Sequence, residues 1–272
     1  MFFSQALPAV VGLTAMAEAL GHEPVALLTP RPRPDNLERF AELVNGVPPG
    51  LDVVVVPTKH RLAEYTRMLA PDLVLCAGFS WLIPQEVIDI PRLGIVNSHP
   101  SLLPQYRGPL PMAWAFRNGD DRFGLTYHFM DAGFDTGPVL AQSSMPLGED
   151  EWLQDMLPKL GAMSAMLVPK VFERLAAGDP GDVQDETGAS YAPFFEDDYV
   201  HVDWSRPRRE IHNQARGWAA AFATRSERGP IATLDGERVR IVRTSLEAVE
   251  GAREVEAGDG PLWVVETEPA EG

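Results

Sequence analysis

LVLCAGFSWLIPQEVIDIPRLGIVNSH, residues 73–99, decides the fold. Two apolar runs, Leu73-Val74-Leu75-Cys76-Ala77 and Leu93-Gly94-Ile95-Val96, bracket a short helical pattern from Pro84 to Ile88. Apolar runs of this length without polar alternation read as strands buried on both faces. The pattern repeats upstream. Phe2-Phe3-Ser4 is a very short apolar start, and Leu7 to Leu20 has helical character ended by Gly21. Pro24-Val25-Ala26-Leu27-Leu28 and Asp52-Val53-Val54-Val55-Val56 read as strands, Asn36 to Val44 and Arg61 to Leu69 as helices. Strands alternating with helices predict an α/β chain with a doubly wound, mostly parallel sheet, in which ligands bind beyond the carboxyl ends of the strands. Asn97 and His99 lie at such an end. Two residues apart on a strand, they project to one face, where the strand gives way to a Pro-containing loop. An amide donor beside an imidazole, joined by a carboxylate from elsewhere, is a set able to transfer an acyl group.

Farther along, Gly124 to Met130 alternates and predicts a strand. Trp152 to Ala177 carries a long helical pattern ended by Gly178-Asp179-Pro180-Gly181, with Pro158 near its start or marking a break. Gly188 to Asp203 is loop-like, and Glu210 to Trp218 predicts a short helix behind Pro207. Ile231-Ala232-Thr233, Arg238 to Arg243 and Leu262 to Glu266 predict strands, and Asp235-Gly236 a hairpin turn between the first two. The expected organisation is a catalytic domain over 1–190, a linker over 191–202 and a small β-rich subdomain over 203–272.

An apolar fraction of 45% against 23% charged residues is globular, and no apolar run is long enough for a membrane helix. The start, Met1-Phe2-Phe3-Ser4-Gln5, lacks the basic region and cleavage pattern of a signal peptide. These features predict a cytoplasmic protein without membrane partners. The single cysteine, Cys76, excludes an internal disulfide and a cysteine zinc cluster, and its apolar run assigns it to the core. No metal is expected, because no metal-ligand spacing appears. Neither a Gly-x-Gly-x-x-Gly nor a Walker loop follows the first strand. A net charge of −16 disfavours general nucleic-acid binding, which rests on cations meeting phosphates. The charge is uneven: nine arginines face five acids from Asp203 to Ser245, whereas eight acids face one arginine from Glu247 to Gly272. Solvated surface is the ordinary reading of both, with a phosphorylated substrate as the alternative for the basic stretch.

Each candidate residue has a plainer reading beside the functional one. A lone histidine is more often structural, but an Asn-x-His pair at a sheet edge favours function for His99. Asp135, in Ala132-Gly133-Phe134-Asp135-Thr136-Gly137, would by itself be a turn former. His128 and Met130 share a strand face as packing or pocket wall. His22, His60, His201 and His212 read as surface residues. Arg107 is a loop cation or a holder of an anionic ligand. Trp81-Leu82-Ile83-Pro84, following Gly78-Phe79, is loop packing or the wall of a pocket for a flat ring.

Asn97-x-His99-x-Ser101-Leu102-Leu103-Pro104-x-Tyr106-Arg107-Gly108, with Asp135-Thr136-Gly137 downstream, resembles the hallmarks of the 10-formyltetrahydrofolate-dependent formyltransferases, which include methionyl-tRNA formyltransferase and the sugar N-formyltransferases. Pro91-Arg92-Leu93-Gly94, Val183-Gln184-Asp185-Glu186-Thr187, Val202-Asp203-Trp204-Ser205 and the helix with Arg216 fit the same family, so the resemblance covers most of the chain. It implies the family's Rossmann-like fold with a truncated OB-like appendage. It implies a catalytic triad of Asn97, His99 and Asp135. It implies 10-formyltetrahydrofolate as co-substrate, in a pocket formed by Phe79, Trp81, Leu82, Ile83, Pro84, Leu103, Pro104, Asp131, Ala132 and Gly133. Ser101, Tyr106 and Arg107 of the motif are candidate contacts to the acceptor. Asn97 and His99 would stabilise charge on the formyl oxygen. Asp135 would orient His99, favour its cationic form and help remove the amine proton.

The chain departs from the family pattern in two places. The first strand is nearly missing, yet Phe2-Phe3 is expected to pair in the sheet, because an absent central strand would be costly. The β appendage is short for a tRNA-acting member. The loop after Thr29, Pro30-Arg31-Pro32-Arg33-Pro34, also lacks a long Lys-rich insertion. With the acidic charge, these features favour a small-molecule amine acceptor, such as an amino sugar or a natural-product intermediate, over tRNA. Methionyl-tRNA formylation, hydrolysis of formyltetrahydrofolate and a non-catalytic folate-binding module are the alternatives. The chain is open to homodimerisation.

Overall fold

The computed structural model describes residues 1–221 and 229–270. The elements in chain order begin with β1 (Phe2–Ser4), α1 (Leu7–Ala19), β2 (Ala26–Pro30), α2 (Leu37–Gly46), β3 (Asp52–Val56) and α3 (Leu62–Leu69). Next come β4 (Val74–Ala77), α4 (Gln85–Ile88), β5 (Ile95–His99), α5 (Pro111–Asn118), β6 (Arg122–Phe129) and β7 (Val139–Pro146). The series closes with α6 (Leu153–Ala176), α7 (Arg208–Ala220), β8 (Ile231–Leu234), β9 (Glu237–Ser245), β10 (Arg253–Ala257) and β11 (Gly260–Pro269). Two compact units interleave along the chain: Met1–Arg107, Gly124–Ser143 and Leu160–Ala189 in one, Gly108–Phe123, Ser144–Lys159 and Ser190–Gly272 in the other.

The first unit holds a seven-stranded sheet in the order β3-β2-β1-β4-β5-β6-β7. It is the expected doubly wound arrangement. Every residue of β1, β2 and β4 is buried, which is why their sequences are apolar without alternation. β1 pairs in parallel with β2 and with β4, so three residues suffice for a strand clasped from both sides. Phe3 is fully buried, as the expected pairing of Phe2-Phe3 requires. Gly21 ends α1 as expected: its φ is +81°, and the His22 N–H turns back to the Ala17 carbonyl. β5 pairs in parallel with β4 but antiparallel with β6, setting Asn97 against His128 and His99 against Thr126. Cys76 is buried in the core with Phe3, Ile83 and Val87, against which Phe79, Trp81 and Met130 also pack.

The second unit is built on α7 and a four-stranded antiparallel sheet, β10-β11-β9-β8. Asp235 and Gly236 both have positive φ, 53° and 83°, and Leu234 pairs with Glu237 across them. This is the two-residue turn that Asp-Gly predicts. α5, β7 and β10 did not emerge from the sequence. α5 starts at Pro111 straight after a Pro-rich loop, and β10 is the charged Arg-Glu-Val-Glu-Ala. Among the described residues no helix is long and apolar enough to cross a membrane.

α7 buries polar side chains. Arg216 donates to the Glu151 carbonyl at 2.8 Å, the Gly148 carbonyl at 2.7 Å and Asn213 Oδ1 at 3.0 Å, with its guanidinium over the Phe116 ring. His212, expected at the surface, is instead fully enclosed. Its Nε2–H donates to the Glu149 carbonyl at 3.0 Å, and Nδ1 takes the Thr244 hydroxyl at 2.9 Å. The helical spacing of His212 and Arg216 puts both on the buried face, where partners of this kind are invisible to sequence patterning. Burial first, then the Arg216 charge, lowers the His212 imidazole to about 4. Because this value lies below the unfolded one, the unfolded state binds the proton first and stability falls as pH drops from about 6.5 toward 4. His212 alone should cost about 2 kcal/mol by pH 5. Denaturation midpoints at pH 7 and pH 5 check this: His212→Gln should flatten the difference, and an equal fall in wild type and variant would exclude the assignment.

Candidate active site

The β5–β6 register assembles the site. Residues paired across antiparallel strands share a face, so Asn97, His99, Thr126 and His128 project together. The segment after β6 then returns a carboxylate to them. Asp131 Oδ1 accepts the Gly133 N–H at 3.0 Å and the Thr136 hydroxyl at 2.7 Å, an Asx turn that folds the loop on itself. Gly137 passes so close to the Phe129 carbonyl that a Cβ there would lie 1.9 Å from its oxygen. Between these two fixed points Asp135 adopts φ +55°, and its carboxylate enters the cluster.

Asp135 Oδ1 is the common centre. Asn97 Nδ2 lies 3.2 Å from it, His128 Nε2 3.5 Å and His99 Nδ1 3.6 Å. Asn97 Nδ2 also donates to His128 Nε2 at 3.2 Å. The backbone sets both imidazole tautomers. His99 Nε2–H donates to the Tyr106 carbonyl at 2.8 Å, and His128 Nδ1–H to the Phe129 carbonyl at 2.7 Å. Tyr106 aims that carbonyl from a left-handed conformation, φ +57°. His99 Nδ1 is therefore the lone-pair atom facing Asp135. Burial holds the His99 imidazole below its ordinary range, outweighing the Asp135 carboxylate and the Tyr106 carbonyl that pull it up, while His128 pushes it further down. Asp135 does favour the cationic form of His99, as expected, but desolvation penalises that form more than one carboxylate at 3.6 Å favours it.

The loop after β5 is pinned from beneath. The Thr126 hydroxyl donates to the Ser101 carbonyl at 2.7 Å and accepts from Gln142 Nε2 at 2.8 Å, and Gln142 also reaches the Leu103 carbonyl. Ser101 itself is buried and donates to the Gln105 carbonyl. Arg107 is buried against Gln184 and Glu186. Of the expected ring-pocket residues, Phe79 and Trp81 meet edge-on at 5.7 Å, Ile83 and Leu103 are buried, and Leu82 is 47% exposed. Phe79 also stacks on the buried Phe3 ring at 5.4 Å, and Phe79 and Trp81 both pack against the core. Ala132 and Gly133 are exposed in the loop that Asp131 shapes. Two residues escaped the sequence reading. His128 belongs to the polar cluster rather than to a pocket wall, and Gln184 grips the Asp135 loop. Register alone could have found His128. Among the described residues no group of three or more His, Cys, Asp or Glu could hold a metal ion.

A family model described as formyl transferase matches residues 56–171. The chain is 33% identical to methionyl-tRNA formyltransferase of Geobacter sulfurreducens over 246 residues, covering 85% of this chain and 73% of that one. Across three such relatives it spans 62% to 73% of their length. Among solved structures, HypX from Aquifex aeolicus in complex with tetrahydrofolic acid superposes with a TM-score of 0.71 at 18% identity, over 99% of this chain and 44% of that chain. WlaRD, a sugar 3N-formyl transferase, superposes with 0.68 at 19% identity, over 98% and 96%. These likenesses confirm the fold: a mostly parallel sheet with a C-terminal antiparallel one.

The close pass at Gly137 generates a test. Gly137→Ala forces the loop off the Phe129 carbonyl and should destabilise the protein by about 1–3 kcal/mol, the usual cost of overpacking. Urea denaturation measures it, and an unshifted midpoint would contradict the tight pass.

Proposed function

The chain belongs to the formyl transferase family, and on that premise we propose that it transfers a formyl group from 10-formyltetrahydrofolate to the primary amine of a small molecule. One observation carries the reading: Asn97 and His99 converge on a single Asp135 carboxylate oxygen, at 3.2 and 3.6 Å. The Phe79–Pro84 loop would hold the pterin, and the folate supplies the formyl carbon and the N10 leaving group.

The residues divide the remaining work. Neutral His99 takes the proton of the attacking amine on Nδ1, the atom that its Tyr106 bond leaves with a lone pair. Asp135 stabilises the imidazolium so formed. As that carboxylate turns to His99, Asn97 regains an N–H for the charge growing on the formyl oxygen. His128, accepting the other Asn97 hydrogen, keeps the amide in plane. His99 then returns its proton to N10 as the bond to the formyl carbon breaks. No covalent enzyme intermediate is needed.

Three features support a small acceptor. The solved neighbour WlaRD acts on a sugar, and this chain matches 96% of its length. The net charge is −16. The arginines of the Asp203–Ser245 stretch are largely engaged: Arg206 with Glu210, Arg209 with Glu149, Arg240 with Glu268, and Arg216 buried. Arg225 and Arg228 lie outside the described residues. The second reading, methionyl-tRNA as acceptor, is favoured by the names of the sequence relatives.

Asn97→Ala should lower kcat roughly 100- to 1,000-fold, the usual effect of losing one oxyanion donor. An assay of tetrahydrofolate release over free amino sugars, other amines and Met-tRNA separates the acceptors. Activity on Met-tRNA alone would select the second reading, and formate release without any acceptor would replace transfer by hydrolysis.

A further inference from the structure

Gln184 sits at the centre of a hydrogen-bond network beneath Asp135, with both lone pairs of its amide oxygen and both of its amide hydrogens engaged. Its Oε1 accepts from Arg107 Nε at 3.1 Å and Nη2 at 2.8 Å. Its Nε2 donates to the Asp135 carbonyl and to the Gly137 carbonyl, both at 2.8 Å. Arg107 is held in turn by Glu186, Nη1 to Oε2 at 3.0 Å and Nη2 to Oε1 at 2.8 Å. Gln184 is 8% exposed and Arg107 9%. The guanidinium, which can only donate, fixes which end of the Gln184 amide faces it and so aims both amide hydrogens at the loop.

The segment carrying Gln184 is itself anchored. Val139 and Asp182 exchange backbone hydrogen bonds at 2.8 Å each way. Arg174 of α6 joins the Leu140 carbonyl to Asp179 and Asp182. The loop it grips needs such support, since Asp135 sits in the left-handed region at φ +55°, a conformation that persists only where the surroundings over-determine it.

We propose that Gln184 is a positioning residue for the transfer reaction, holding the Asp135–Gly137 backbone so that the Asp135 carboxylate stays within reach of Asn97 and His99. The inference rests on the catalytic reading above for its effect on rate, but the placement of Asp135 against His99 can be measured without turnover. The groups facing His99 are Asp135 from the loop, His128 from β6 and the Tyr106 carbonyl. Cys76 of β4, near enough to feel the Asp135 charge, is held as a thiol by burial. Of the three that act on His99, Asp135 is the largest influence raising its imidazole, so a carboxylate that drifts away lets His99 titrate at lower pH.

The experiment is an NMR titration of the His99 ring in wild type, Gln184→Met, Asp135→Asn and Val183→Ala, with kcat and KM measured on the same proteins. Val183, the neighbouring residue, is 88% exposed and serves as the control that should move nothing. Gln184→Met should move His99 to lower pH, in the direction of Asp135→Asn, and lower kcat about 10- to 100-fold with KM nearly unchanged, the penalty of a misplaced catalytic group. A His99 titration identical to wild type in Gln184→Met overturns the proposal, as does an unmoved His99 in Asp135→Asn. A shifted His99 in a protein that transfers no formyl group to any acceptor overturns the catalytic reading and leaves the positioning role standing. If Gln184→Met fails to fold, Gln184→Leu carries the titration, and failure of both would make Gln184 a determinant of the fold and end the proposal.

Discussion

Antiparallel pairing of β5 with β6, in the register Asn97 to His128 and His99 to Thr126, is the constraint on which the site depends. The sheet is otherwise parallel up to β5, so this is where its direction changes. A shift of one residue would turn every β6 side chain to the opposite face. In the observed register three nitrogen-bearing side chains share one face. Thr126 beneath them ties the loop after β5 to β6 through the Ser101 carbonyl. Packing thus fixes the site before any substrate is considered.

A carboxylate amid these groups would be costly if it stood alone in a desolvated place. It is supported on two levels. The Asn97 amide donates to its side chain, while Gln184 holds its backbone carbonyl and that of Gly137 two residues on. The strained conformations at Tyr106 and Asp135 fall at the two points where backbone aims chemistry, one presenting a carbonyl to His99 and the other a carboxylate. Such strain persists only where the surroundings hold it; the other two non-glycine residues at positive φ among those described, Ala70 and Asp235, lie at a helix end and in a hairpin turn.

Electrostatics separate the two enclosed histidines. Burial pushes both His99 and His212 toward the neutral form. His212 has Arg216 on one side and the Asp150 carboxylate 3.5 Å from its Nε2 on the other, and serves the second unit as a hydrogen-bonded strut. His99 faces the Asp135 carboxylate with no arginine among the groups that act on it, so a proton arriving on it meets a counter-charge. An arginine beside one histidine and none among the groups acting on the other separates the two surroundings.

Much was legible in the residues themselves. Unbroken apolar runs marked β1, β2 and β4 because strands covered on both faces leave no position for a polar residue. Gly21 and Asp235-Gly236 marked their turns because few residues accept positive φ. Asn97 and His99 were paired by spacing, and the long motif around them tied them to formyl transfer. What only the tertiary structure decided was non-local. His128 joined the cluster through a strand pairing 31 residues away, and Gln184 reached Asp135 across 49. At His99 burial outweighs the expected pull of Asp135, and His212 was expected at the surface and is enclosed. Both outcomes depend on what the rest of the chain places around a side chain rather than on the residues next to it in sequence.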